Sequence, residues 1–123
     1  MDFIFITAFL SGIIHILFFV LESLLFTRPT IYKIFGISKN NVEVTRLLFF
    51  NQGFYNLFLA IGTFAGIYLY MENQGVALLL FTSSCMVSAA LVLLSSKRSM
   101  YRGAFLQGFL PLITLILLLT KLK

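Results

Sequence analysis

Four long apolar runs dominate this chain and leave almost nothing over for a water-soluble domain. The runs cover residues 3–26, 44–71, 76–96 and 103–120, and charged or turn-forming residues separate them. Each run is near the roughly 20 residues that a helix needs to cross a hydrocarbon core about 30 Å thick. Because unpaired backbone amides are costly in lipid, we expect each run to be a transmembrane helix. The sequence thus predicts an all-α membrane protein, a four-transmembrane-helix up-down-up-down bundle forming a single domain over residues 1–123.

The composition excludes several other classes of protein. Hydrophobic residues make up 60% of the chain and charged residues 11%, whereas a soluble domain is roughly 45–50% apolar and about 25% charged. The single cysteine, Cys85, lies inside an apolar run and is interpreted as a small buried hydrophobe. No nucleotide fingerprint or metal-ligand spacing is present, so we predict no metal and no cofactor. The basic residues adjoin apolar spans, which predicts membrane lipids as partners and no nucleic acid.

The distribution of basic residues predicts the orientation of the bundle. Two of the nine Lys and Arg residues follow the fourth span, and the other seven lie in or beside the first and third connections. By the positive-inside rule, loops 27–43 and 97–102 are cytoplasmic and both termini lie outside a cell membrane. Three of the seven are candidates for contact with anionic headgroups: Arg28, Arg46 and Arg102.

The first connection, residues 27–42, is the only long one, and its sequence predicts a short helix lying in the membrane interface. Pro29 suits a first helical position, and Ile31, Ile34 and Phe35 follow at helical spacing. Gly36 is expected to end this helix. Asn40, three residues before Glu43, is expected to cap the start of the second span.

Polar residues inside a span are costly and therefore mark candidate sites. In the first span, Ser11, His15 and Glu22 are four and seven residues apart, which places them on one stripe about 40° wide. His15 and Glu22 are candidates for ligand binding or proton handling. The alternatives are a neutral, hydrogen-bonded His15, and a Glu22 that pairs with Arg28 or Arg46.

The second span carries the densest group of polar side chains. Asn51, Gln52, Tyr55 and Asn56 fall within six residues, and amides at this density exceed what helix adhesion alone requires. We interpret these four residues as candidate ligand-binding residues. Gly62 and Gly66 form a G-x-x-x-G step on the same side, which predicts close packing of another helix.

The third and fourth spans carry weaker signals. Ser84, Ser88 and Ser95 share a stripe of the third span, which favours close helix packing. In the fourth span, Gln107 precedes Pro111 by one turn, and Pro111 frees a backbone carbonyl near residue 107. Gln107 is a further candidate ligand-binding residue, or else Pro111 only bends the bundle. The candidate binding residues are expected in the cytoplasmic half, with His15 the deepest of them and Ser11 in the outer half, which predicts a cup open to the cytoplasm.

Several of these motifs together resemble a known family. His15 and Glu22 followed by Thr27-Arg28-Pro29, the Asn51-Gln52-Gly53 run with Tyr55-Asn56, and Gln107-Gly108 with Pro111 are similar to small bacterial membrane proteins catalogued as a domain of unknown function, thirteen-oh-four in that series. The resemblance covers almost the whole chain and implies a four-helix membrane fold without an established activity. Phe26 stands where many relatives have tryptophan.

A looser likeness, carried by Glu43, Arg46 and Asn51, links the chain to four-helix membrane enzymes of eicosanoid and glutathione metabolism. This likeness implies a homo-oligomer such as a trimer, and a transport function would require a dimer. Three functions stay open from the sequence: binding or transforming a lipid or small amphiphile, proton-coupled transport by an oligomer, and a structural or regulatory subunit. The sequence does not decide whether the chain is an enzyme.

Overall fold

The computed structural model describes residues 2–72 and 74–123, so Met1 and Asn73 lie outside it. Over the described residues the chain forms five α-helices, and four of them are long and apolar enough to cross a membrane. The predicted all-α membrane bundle is therefore confirmed. The helices are α1 (Phe3–Phe19, continued by a π turn at Val20–Leu24), α2 (Pro29–Tyr32), α3 (Val42–Tyr68), α4 (Gln74–Ser96) and α5 (Tyr101–Lys121).

The four long helices pack as a ring in which neighbours run antiparallel. Between α1 and α3, Phe9 stacks edge-on against Phe64, and Phe19 against Phe54. The partner on α3 therefore moves back along the chain as α1 advances. The contacts between α3 and α4 show the same antiparallel order. A Cβ added at Gly62 would lie 2.9 Å from Thr82, and one added at Gly66 would lie 2.9 Å from Leu79. The G-x-x-x-G step thus packs against α4. Two further contacts complete the ring: Gly108 of α5 with Ala90 of α4, and Thr114 of α5 with Thr7 of α1.

One end of the bundle, called here the terminal end, is closed by packing. Ile4 and Ala8 of α1, Leu79 of α4 and Leu118 of α5 form a buried apolar cluster. Just inside it, Thr114 Oγ1 donates a hydrogen bond of 2.7 Å to Thr7 Oγ1. Packed side chains therefore fill the interior at this end.

The opposite end, called here the basic end, contains the first and third connections. The first connection folds onto the bundle through the single turn of α2, where Tyr32 and Phe35 pack against Phe18 and Val42. Tyr32 takes the inward position that the sequence pattern assigned to Ile34, which is 60% exposed. Gly36 ends this segment with φ +70°, as expected.

Two local predictions are wrong. Asn40 does not cap α3, because a 3₁₀ turn at Lys39–Asn41 precedes the helix and Asn41 occupies the cap position without a side-chain bond. The serine stripe of α4 is exposed, while the buried face of that helix carries Leu79, Thr82, Ser83, Met86 and Ala90. Hydroxyl groups that bond their own helix carbonyls do not need to face a neighbour, so their spacing does not identify the packed face.

Candidate functional site

The buried carboxyl group of Glu22 is the centre of a polar cluster between α1 and α3. Asn56 Nδ2 donates to Glu22 Oε2 at 3.0 Å, and Gln52 Nε2 donates to Oε1 at 3.4 Å. Glu22 is only 3% exposed. Because Gln52 and Asn56 are four residues apart, both amides project from one face of α3. Both oxygens of Glu22 thus accept a hydrogen bond from the same neighbouring helix.

Glu22 lies in the π turn that continues α1. The N–H of Leu25 donates to the carbonyl of Val20 at 3.0 Å, a step of five residues. Such turns are frequent at functional sites. Ser11, His15 and Glu22 are all buried, so the stripe predicted for the first span faces inward as far as this turn.

Close contact between α1 and α3 holds the π turn in place. Ser23 Oγ donates to the carbonyl of Phe50 at 2.7 Å. A Cβ on Gly53 would overlap Ser23 Oγ and lie 3.0 Å from the backbone nitrogen of Ser23. Gly53 therefore allows α3 to approach the π turn closely enough for the amides of Gln52 and Asn56 to reach Glu22.

The Glu22 cluster borders a cavity of about 520 Å³ at the basic end of the bundle. All four long helices and both connections at that end contribute to its wall. The polar and charged residues of the wall are Glu22, Gln52, Tyr55, Asn56, Ser96, Lys97 and Gln107. Apolar side chains make up much of the rest, among them Phe18, Phe35, Phe49, Leu59, Val92 and Leu93. A mostly apolar pocket with a few converging polar groups is typical of a small-molecule site.

The cavity opens sideways between α3 and α4. Tyr55 of α3 and Val92 of α4 both line it, yet they are 67% and 65% exposed. Ala89, one turn from Val92, is also exposed. Toward the terminal end the two helices come together at Gly62 and Gly66, so they diverge toward the basic end. The opening lies along the spans themselves, beside the region that lipid would occupy.

A lysine and a backbone carbonyl join the two connections at the cavity rim. Lys97 Nζ donates to the carbonyl of Phe35 at 3.4 Å, and both residues line the cavity. A Cβ on Gly36 would lie 2.9 Å from the same Nζ. Sequence reasoning missed Lys97 and Phe35 because only the folded first connection brings them together; Gly36 is the one local signal of a close approach.

His15 lies deeper than the cavity and is satisfied within its own helix. It is 1% exposed, and its Nδ1 donates to the carbonyl of Ser11 at 2.8 Å. Its ring meets Phe18 edge-on with 6.3 Å between ring centroids. Phe18 lines the cavity, whereas His15 is not among the residues of the wall. The structure therefore does not bring His15 and Glu22 together.

The remaining predicted site residues divide into two groups. Gln52, Tyr55, Asn56 and Gln107 share the cavity wall with Glu22. Asn51 is exposed and lies outside the wall, because one helical position turns its side chain about 100° from Gln52. Sequence spacing alone does not separate Asn51 from its neighbours.

The three predicted headgroup contacts lie on the exposed surface. Arg28, Arg46 and Arg102 do not line the cavity. Arg46 pairs with Glu43 at 3.9 Å, and Arg102 Nε donates to Tyr101 Oη at 3.1 Å. No three His, Cys, Asp or Glu side chains come together as a possible metal site in residues 2–72 and 74–123.

Fold and cavity together define a small multi-pass helical membrane protein with a mostly apolar cavity between its spans. Within that class, the chain belongs to the family described as Protein of unknown function (DUF1304), whose model matches residues 9–119. The resemblance carried by the sequence motifs is thereby confirmed. No curated protein and no solved structure matches the chain.

Proposed function

We propose that this protein binds a lipid or another small amphiphile in the cavity at the basic end of the bundle. The observation that carries the proposal is the position of the buried Glu22 cluster in a cavity whose side opening lies along the spans. A molecule with an alkyl chain can reach such a site from the bilayer without entering water. Its chain would contact the phenylalanine-rich wall, and its polar group would meet Glu22, Gln52, Asn56 and Gln107.

The packing of the terminal end favours binding over transport. Ile4, Ala8, Leu79 and Leu118 fill the interior there, and the Thr7–Thr114 hydrogen bond lies just inside them. A cavity closed at one end is suited to hold a molecule, whereas a transport pathway must reach both faces of the membrane. His15 does not line the wall and bonds to its own helix, which likewise favours binding over proton transfer to a ligand.

We further propose that the basic end faces the cytoplasm of a cell membrane and that both termini lie outside. The support is the excess of Lys and Arg in the first and third connections. In this orientation the cavity lies in the cytoplasmic half of the membrane. The exposed Arg28, Arg46 and Arg102 would then contact the anionic lipids of that leaflet.

Saturable photolabelling tests the binding proposal. The protein is placed in nanodiscs of zwitterionic phosphatidylcholine with hexadecanol that carries a diazirine in the middle of its chain. After illumination, labelled peptides are mapped by mass spectrometry. We expect labelling of the cavity wall, around Phe49 and Leu93, that excess unlabelled hexadecanol abolishes, in addition to non-saturable labelling of the outer faces.

Two tryptophan variants of α4 provide a matched pair. Ala89→Trp fills the side opening and is expected to reduce saturable labelling at least tenfold. Ala77→Trp introduces the same side chain at an exposed position of the same helix outside the cavity wall, and it is expected to leave the labelling unchanged. Labelling confined to the outer faces, with no saturable part in the unaltered protein, would refute the proposed function.

A further inference from the structure

The hydrogen-bonding capacity left over in the cavity indicates which polar group it accepts. A carboxylate can accept about four hydrogen bonds, and Glu22 receives one on each oxygen. Gln52 and Asn56 each use one N–H for this purpose and keep one further N–H and a carbonyl oxygen with two lone pairs. Acceptors therefore outnumber donors around Glu22. A ligand that brings hydrogen-bond donors complements this surface.

The charges of the wall point the same way. Throughout the described ranges, 2–72 and 74–123, no basic side chain forms an ion pair with Glu22. Lys97 is the cation of the wall, and its ammonium donates to Phe35 at the rim. A buried carboxyl group without a cationic neighbour is costly, and a bound ammonium or hydroxyl group would relieve that cost through a charge-assisted hydrogen bond.

Anionic polar groups fit poorly for the same reasons. A phosphate or carboxylate held beside Glu22 would place like charges together in a region of low dielectric constant, where repulsion is strong. The arginines that the sequence offered for anionic headgroups are exposed and lie outside the wall. They remain available to the membrane surface but not to a ligand in the cavity.

From these observations we propose that the cavity selects amphiphiles whose polar group donates hydrogen bonds, an ammonium or hydroxyl group, and rejects those that end in phosphate or carboxylate. The inference rests on the proposed function and names the ligand class of that same site. The volume of about 520 Å³ suits one such molecule, since small-molecule pockets are typically about 300–1,000 Å³.

Competition against the diazirine hexadecanol, in the same phosphatidylcholine nanodiscs, tests the selection. Four competitors share a sixteen-carbon chain and differ in the polar group: hexadecylamine, monopalmitoylglycerol, palmitate and hexadecyl phosphate. We expect the amine and the monoglyceride to displace the probe at concentrations at least tenfold lower than the two anions. This ranking is measured in the unaltered protein and so does not depend on the folding of any variant.

A substitution at Glu22 tests whether its carboxyl group causes the preference for hydrogen-bond donors. In Glu22→Gln, the advantage of hexadecylamine over palmitate is expected to fall at least fivefold. Saturable labelling with equal displacement by all four competitors, or stronger displacement by the anions, would overturn the selection and leave the proposed binding function standing. Absence of saturable labelling would remove both.

Discussion

The amide nitrogen of Asn56 lies 3.0 Å from Oε2 of Glu22, and this bond joins residues 34 positions apart in the chain. Asn51, the same residue type five positions earlier on the same helix, is exposed and takes no part. The direction in which each side chain leaves the helix therefore decides which asparagine belongs to the site. A comparison of these two asparagines is the most direct test of the site.

Asn56→Ala is expected to weaken both the fold and the binding site, because it leaves Glu22 Oε2 without its donor. Loss of one partner of a buried hydrogen bond costs about 1–3 kcal/mol, measured here as the free energy of unfolding in detergent. Saturable labelling by the diazirine hexadecanol should fall as well. Asn51→Ala is the control, with an expected change within about 0.5 kcal/mol. Equal effects of the two substitutions would contradict the assigned cluster.

Gly53→Ala is expected to separate α1 from α3, since the added methyl group would overlap Ser23 Oγ and approach the backbone of the π turn. Overpacking of this kind costs about 1–3 kcal/mol, read from the unfolding transition. In Gly103→Ala the nearest atom to the added methyl group would be Met100 Cε at 3.6 Å, an ordinary contact. That control should be neutral, or up to about 1 kcal/mol more stable because alanine favours helix.

The hydrogen bond between Thr7 and Thr114 should appear as a coupling energy in a double-mutant cycle with valine. Interhelical hydrogen bonds in membranes average about 0.6 kcal/mol and reach about 1.7 kcal/mol, and we expect a value in that range. Thr120 is exposed and its hydroxyl donates to Leu117 of its own helix. A cycle of Thr7 with Thr120 should therefore show coupling near zero. A zero result for Thr7 with Thr114 would contradict the hydrogen bond between them.

Asp2 at the start of α1 is expected to titrate below its ordinary range. Its hydrogen bond with the Lys121 ammonium lowers the pKa of the carboxyl group from the usual 3.8. The carboxylate form is thus favoured in the folded protein, and this small stabilisation is lost as the pH falls through the lowered pKa. NMR titration should show the pKa of Asp2 rising toward 3.8 in Lys121→Gln and unchanged in Lys123→Gln. The same pKa in all three proteins would argue against the contact.

Membrane orientation is testable with single cysteines in a Cys85→Ala background. Ser99→Cys places a thiol in the third connection, and Leu122→Cys places one after α5, both at exposed positions. A membrane-impermeant maleimide added to intact cells should label Leu122→Cys and reach Ser99→Cys only after lysis. The reverse pattern would show that the basic end faces outward.

Much of the architecture follows from the sequence because hydrophobicity sums along the chain. A run of about 20 apolar residues is long enough for the membrane whatever its neighbours are, so four spans and their antiparallel order could be predicted. The role of Gly62 and Gly66 could likewise be predicted from the sequence, because only small residues allow the close approach that α4 makes.

The directions of polar side chains were decided by the tertiary structure. The sequence placed His15 and Glu22 on one stripe, and both side chains are buried. Their partners differ, since His15 bonds to the carbonyl of Ser11 in its own helix, whereas Glu22 bonds to the amides of α3. Nothing in the sequence of Val20–Leu24 predicts the π turn that these residues form. The turn is consistent instead with contacts that α3 makes across the interface, through Gly53 and the carbonyl of Phe50.

The sequence by itself determined that this chain spans a membrane four times and concentrates its polar residues toward one end. Only the tertiary structure decided that Glu22, Gln52, Asn56 and Gln107 share a cavity while His15 and Asn51 do not. The physical reason is that the two properties depend on different parts of the chain. Burial in lipid depends on each residue's own polarity, whereas a binding site depends on which side chains several helices turn toward the same space.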